Sequence, residues 1–230
     1  MPGIPGSATV LAGHYGAALD NGVRGLRFGF IRHFHETDLP ADPEVSAALE
    51  NVAQALRSLG AEVRDIRLPT LGEFGAVNRV ILQSEAWAIH ASWLRERPQD
   101  YGKLARRRLL PGAFYGAGDY VQAQRRRLEM IAAVEGALQH VDLLLCASAM
   151  DPPSRLNDPA ETERTYPRQA RTPFNVTGHP ALAMMAGLSS SGVPLSVQFV
   201  GRFFDEASVY RVARAWEKAS GMDKKHPAIG

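Results

Sequence analysis

Between residues 193 and 201 apolar and polar positions alternate. Leu195, Val197 and Phe199 fall on one side, and Ser196, Gln198 and Val200 on the other. A repeat of two places successive side chains on opposite faces of a strand. A second strand-like run, 182–188, precedes it, and the Ser-Ser-Ser-Gly link between the two suits a hairpin loop. Asp205 and Glu206 then open a helix over 206–219, where an aspartate can cap the first free N–H groups and acidic charge suits the dipole. Val209, Val212, Ala213 and Trp216 mark its inner face.

Earlier in the chain the repeat lengthens. A turn at 22–25 leads into the apolar run 26–31, which reads as a buried strand. Asp42-Pro43 then starts a helix over 43–59, with Asp as cap and Pro in the first turn. Val45, Leu49, Val52, Leu56 and Leu59 form its apolar stripe, and Gly60 ends it. Val63, Ile66 and Leu68 mark a strand over 62–68. Strand, helix, strand in that order argue for parallel strands with a helix on one face. Further helices are expected over 73–96 (Val77, Ile81, Trp87 or Ala88, and Ala91 inward), 100–110, and 119–139 (Val121, Leu128, Ile131 and Leu138 inward). A short apolar strand is expected over 141–148. Residues 149–171, proline-rich and polar, read as a long loop of the kind that lines a site. Residues 1–22 read as a loose segment with a short helix around 15–21, and 222–230 as a polar tail.

Composition adds exclusions. Apolar residues make up 45% and charged residues 22%, as in a globular protein, and the net charge of +2 creates no field that demands nucleic acid or an anionic membrane. No apolar run approaches the roughly 20 residues needed to cross a bilayer. One cysteine, Cys146, excludes an internal disulfide, and the N-terminal MPGIPGSATV lacks the basic and apolar regions of a signal peptide; both fit a cytoplasmic setting. His33 and His35 would share a face on a strand and could bind a metal, but their neighbours supply no third ligand, so a surface loop pair is the favoured reading. Ser189, Ser190 and Ser191 fall in the hairpin link, and none of Lys103, Lys218, Lys224 and Lys225 has the buried apolar setting that would turn it into a base.

The wording of the chain carries more than its pattern. Thr172-Pro173-Phe174-Asn175 is followed by Gly178, Pro180 and Ala181, then Gly192 and Pro194, then Gln198, Val200 and Gly201, then Phe204-Asp205-Glu206. That ordered set resembles the C-terminal half of the amidase signature family. GVRGLRFGFIRHF (22–34) and RRRLLPGAFYGAGDYVQAQRRR (106–127) are similar to further segments of the same family. The resemblance implies an α/β fold, a mixed central sheet flanked by helices, of which this chain would be a partial version over 23–221. It also implies hydrolysis of carboxylic amides by a Lys, cis-Ser, Ser triad, with no cofactor and no metal. A serine hydroxyl needs a base before it attacks, and the oxyanion needs preplaced donors. In the family these groups lie N-terminal to the matched segment, so no catalytic residue is carried over to this chain.

Phe174 and Asn175 are expected near the substrate cleft as part of its wall, a role weighed evenly against a structural turn, for which Asn is also suited. His179 reads as structural. The triplets Arg106–Arg108 and Arg125–Arg127 could in principle meet phosphate, since the family's transamidation members handle tRNA, but no aromatic platform interleaves with them and a solvated helix face is favoured. Two alternatives to an amidase portion stand beside it. One is a non-catalytic assembly module that pairs with a separate N-terminal half or self-associates. The other is a cysteine hydrolase using Cys146, with Glu85 and Lys103 as the accompanying set.

Overall fold

The computed structural model describes residues 14–225. The expected loose segment 1–22 and tail 222–230 therefore lie largely outside the described residues. Residues 15–20 form successive turns instead of the short helix expected there. β1 (Arg27–Phe30), α1 (Pro43–Ser58) and β2 (Glu62–Asp65) follow as the β-α-β unit, with β1 and β2 parallel. The Asp42 carboxylate accepts from Glu44 N–H at 2.8 Å and Pro43 occupies the first turn, as the sequence dictates. Val45, Leu49, Val52 and Leu56 are fully or almost fully buried, whereas Leu59 caps the helix and is exposed.

α2 (Leu71–Glu96) is opened by a capping box between Thr70 and Glu73. α3 (Lys103–Leu109) is shorter than the 100–110 helix read from sequence, because 3₁₀ turns at Pro98–Asp100 and Leu110–Phe114 bracket it. α4 (Ala117–Leu138) buries Ala123, Met130, Val134 and Leu138, so the expected stripe is corrected: Val121 and Leu128 face solvent. Apolar residues occupy two sides of this helix, and the side with the smaller side chains at its start is the one that packs. On α2 Ala88 is likewise exposed, and Phe74, Val77 and Leu94 are the buried positions.

β3 (Leu143–Ala147) is buried along its whole length and runs parallel to β1. The 149–171 loop is in part structured: it contains α5 (Pro159–Thr165) and a bridge between Ala149 and Gln169. α6 (Thr172–Thr177) replaces the turn expected for Thr-Pro-Phe-Asn, with Pro173 in the first turn where its missing N–H costs nothing. β4 (Ala181–Leu188) and β5 (Pro194–Val200) form the antiparallel hairpin, and α7 (Glu206–Ser220) closes the chain. The sheet order is β2-β1-β3-β5-β4, parallel on the β2 side and antiparallel on the β4 side. This is the mixed α/β sheet with flanking helices that the resemblance implied.

The alternation of β5 separates the helices. Leu195 lies beside Ala47 and Ala48 of α1, while Gln198, on the opposite face, donates to Ala170 O just before α6. α1 and α7 pack on one another and on β4 and β5, and α2, α4 and α6 pack together as a second group.

Candidate functional site

α6 carries the two residues singled out for a substrate wall, and several contacts hold it. Gln169 Oε1 accepts from Arg171 N–H at 2.6 Å and its Nε2 donates to Thr172 Oγ1 at 2.8 Å, fixing the entry. Arg127 Nε donates to Val176 O at 2.6 Å, tying the exit to α4. Gly178, at φ 82°, then turns the chain through a left-handed conformation that a residue with a Cβ seldom adopts. Within this helix Phe174 is only 3% exposed and joins the core, whereas Asn175 is exposed.

His179 completes the clamp. Its Nδ1 lies 2.9 Å from Thr177 Oγ1 and its Nε2 lies 2.7 Å from Glu135 Oε1 on α4. The ring is stacked on Phe203 with centroids 4.2 Å apart. Burial holds its pKa below the ordinary imidazole range, against the pull of Glu135. A neutral ring satisfies both contacts: Nε2–H donates to the carboxylate and Nδ1 accepts from the Thr177 hydroxyl. Nothing in the sequence marks Glu135 as the partner, because the two residues lie 44 positions apart.

A concavity of about 400 Å³ opens between α2 and the start of α4, lined by Ser84, Glu85, Trp87, Tyr115 and Tyr120 among others. The Tyr120 hydroxyl donates to Glu85 Oε1 at 2.9 Å, and Ser84 Oγ is buried with no hydrogen-bond partner. The sequence places both tyrosines in the 106–127 segment that carries part of the resemblance, but it does not single them out, because only the packing of α4 on α2 brings Tyr120 to Glu85.

Cys146 is fully buried in β3, its Sγ 3.5 Å from Gln198 Nε2, and burial pushes its thiol up to about 12. A thiol held protonated and out of solvent is a poor nucleophile. Glu85 is engaged by Tyr120, and Lys103 is exposed on α3, so neither is seen joined to the cysteine. His33 and His35 are buried, 6% and 2% exposed, which corrects the surface-loop reading. The reason is a π-helical turn, Phe34–Asp38, that packs His33 edge-on to Phe34 and stacks His35 on Phe30. Among the described residues no group of three or more His, Cys, Asp or Glu side chains could hold a metal.

Ser189 and Ser191 hydroxyls bond each other, and Ser190 donates to Glu44 through both N–H and Oγ. All four lysines are exposed, and Lys218 pairs with Asp20. The arginine triplets are largely engaged within the chain: Arg107 with Glu163, Arg108 over Tyr166, Arg126 with Glu73 and Glu129, Arg127 with Val176 O. No helix among the described residues is long and apolar enough to cross a membrane.

A five-stranded mixed sheet flanked by helices, with a clamped Thr-Pro-Phe-Asn helix feeding a terminal hairpin, defines the class. The family model described as Amidase matches residues 4–210, and the chain belongs to that family. It is 33% identical over 239 aligned residues to an amidase of Pseudomonas putida, covering 99% of this chain and 50% of that protein. It is 30% identical to a glutamyl-tRNA(Gln) amidotransferase component of Myxococcus xanthus, covering 89% of this chain and 47% of that protein. A crystal structure of an amidase superposes with a TM-score of 0.75 at 28% identity, over 86% of this chain and 46% of that one. The chain spans about half the length of the curated relatives it matches.

Proposed function

We propose that this chain supplies the C-terminal portion of an amidase-type hydrolase acting on carboxylic amide bonds. It builds scaffold and one cleft wall, and it is inactive without a complementary N-terminal half. The observation that carries the reading is the match itself: nearly the whole chain aligns, yet with only half of each relative. The polar groups fit this role. No lysine among the described residues is buried or hydrogen-bonded to a serine, so none is set up as the base that a serine nucleophile requires. The wall residues are Phe174, whose buried ring seats α6, and Asn175, whose exposed amide is free to face a substrate.

The test is chemical. A fluorophosphonate probe is expected to leave the 230-residue chain unlabelled and a panel of aryl amides uncleaved. Stoichiometric labelling of the pure chain would overturn the proposal. Labelling is expected to appear on the N-terminal polypeptide when the two are combined.

A further inference from the structure

The two edges of the sheet are built differently. β2, at one edge, reads Glu-Val-Arg-Asp, and two of its three charges are engaged: Arg64 donates to His140 O at 2.6 Å and Asp65 accepts from Arg32 at 2.7 Å. Charged side chains on a short strand are the ordinary device that keeps an edge from pairing with another chain. β4, at the other edge, is eight residues long and reads Ala-Leu-Ala-Met-Met-Ala-Gly-Leu, with no charge, no polar side chain and no proline. An edge of that kind normally pairs.

The register says which of its peptide groups are open. Gly201 N–H donates to Pro180 O at 3.0 Å, so residue 180 is turned toward β5. In an antiparallel pair such residues alternate with residues whose N–H and C=O point away from the partner. Ala181, Ala183 and Met185, paired with Val200, Gln198 and Ser196, therefore direct their backbone groups to the free side. One of these groups is already taken: Trp216 Nε1 donates to Met185 O at 2.8 Å. That bond agrees with the outward direction and closes the far end, just where the ladder with β5 becomes irregular between Met185 and Gly187. Ala181 and Ala183 are exposed, and their single methyl groups let another backbone approach.

We infer that the Ala181–Met185 edge of β4 is the seam at which the complementary half of the amidase fold joins this chain, by adding one extended strand to the sheet. The inference rests on the proposed function. The occupant is chosen by two facts together: the chain covers only half of its relatives' length, and of its two sheet edges one is guarded by charge and the other is not. The added strand reads backbone groups for affinity and lays its side chains on the same two faces that Leu182 and Met184, or Ala181 and Ala183, present.

The experiment is hydrogen exchange on the 230-residue chain, alone and with the half of the Pseudomonas putida amidase that it does not cover. The amides of Ala181, Ala183 and Met185 are expected to exchange freely in the chain alone and to become protected in the complex. Ala183→Pro removes an outward N–H and none that the ladder to β5 uses. It is expected to leave the fold intact by circular dichroism and to weaken the complex by about two- to tenfold, the loss of one well-made pairing. Glu62→Lys at the β2 edge is expected to change nothing. A complex in which those three amides still exchange freely, or which Ala183→Pro forms as well as the parent chain, overturns the seam and leaves the amidase reading standing. Protection of the same amides in the chain alone, as a monomer or as a self-paired dimer, overturns the assignment of the occupant. Failure of the two halves to associate at all overturns the pairing, and with it the proposed function.

Discussion

His179 shows how much one side chain can hold in place here. Its ring is wholly buried between Thr177, Glu135 and Phe203, and it joins the end of α6 to α4. Replacing it with alanine leaves the buried Thr177 hydroxyl without its partner, at a cost of about 1–3 kcal/mol. For a chain of this size that lowers Tm by roughly 2–4 °C per kcal/mol, which differential scanning calorimetry would detect. The pH dependence has a definite sign. The folded-state pKa of His179 is lowered, chiefly by burial, and so is that of His35. Below the unfolded value of about 6.5 the unfolded chain binds protons that the folded chain refuses, so stability is full above that pH and falls as pH drops beneath it. His179→Gln is expected to flatten part of this fall; an unchanged slope in urea midpoints between about pH 7 and 5 would show that the histidine is not the group responsible. The neighbouring pair Phe174 and Asn175 is legible from sequence as a place but not as an arrangement. Adjacent residues on a helix point about 100° apart, so one enters the core and the other reaches solvent.

At the scale of elements, glycines separate positions that need a bare backbone from those that merely tolerate one. A Cβ built on Gly112, in the 3₁₀ turn after α3, would sit 2.1 Å from Gln83 O and 2.6 Å from Trp87 Cβ on α2. Gly112→Ala must therefore push the turn off α2, and the expected loss is about 1–3 kcal/mol in a chemical melt. Gly136, inside α4, meets nothing within 4 Å, and Gly136→Ala is expected to gain about 0.5–1 kcal/mol. Opposite signs for the two are the readout; a loss at both would mean that α4 is not the helix described. Elements also differ in how far the sequence declares them. The period-2 run of β5, the capped α1 and the β-α-β order are legible because each repeats long enough to state its period. α6 is not, since six residues give less than two turns and its leading proline reads as a breaker. The stripe of α4 misleads for the opposite reason: Val121 and Leu128 are real apolar positions on a helix with apolar residues on two sides, and only tertiary packing chooses between them. His33 and His35 escape a reading by spacing because a π-turn is one residue wider than an α-turn and rotates the side chains that follow it.

At the scale of the whole molecule, one buried cluster joins all the layers while large apolar side chains stay exposed on the helices. The core cluster runs from Phe28 through Val52, Met130 and Leu144 to Phe199 and Trp216, so it draws on both helical groups and on the sheet. Yet Leu82 and Ile89 of α2, seven positions apart on one face, are 58% and 66% exposed, and Leu128 of α4 is 66% exposed. These side chains contribute little to folding, because they leave water only in part, and they raise the tendency to associate, because apolar patches on a monomer are few. The two effects are separable. The variant Leu82→Glu, Ile89→Lys, Leu128→Glu is expected to keep its Tm within the small change usual for surface substitutions, about 0.5 kcal/mol at each site, while light scattering of the pure chain falls. If the variant unfolds instead, those residues belong to the core and the surface described for α2 and α4 is wrong. If it stays folded and scatters as before, association of the chain runs through another surface, and the exposed Phe114 and Leu156 are the next side chains to replace.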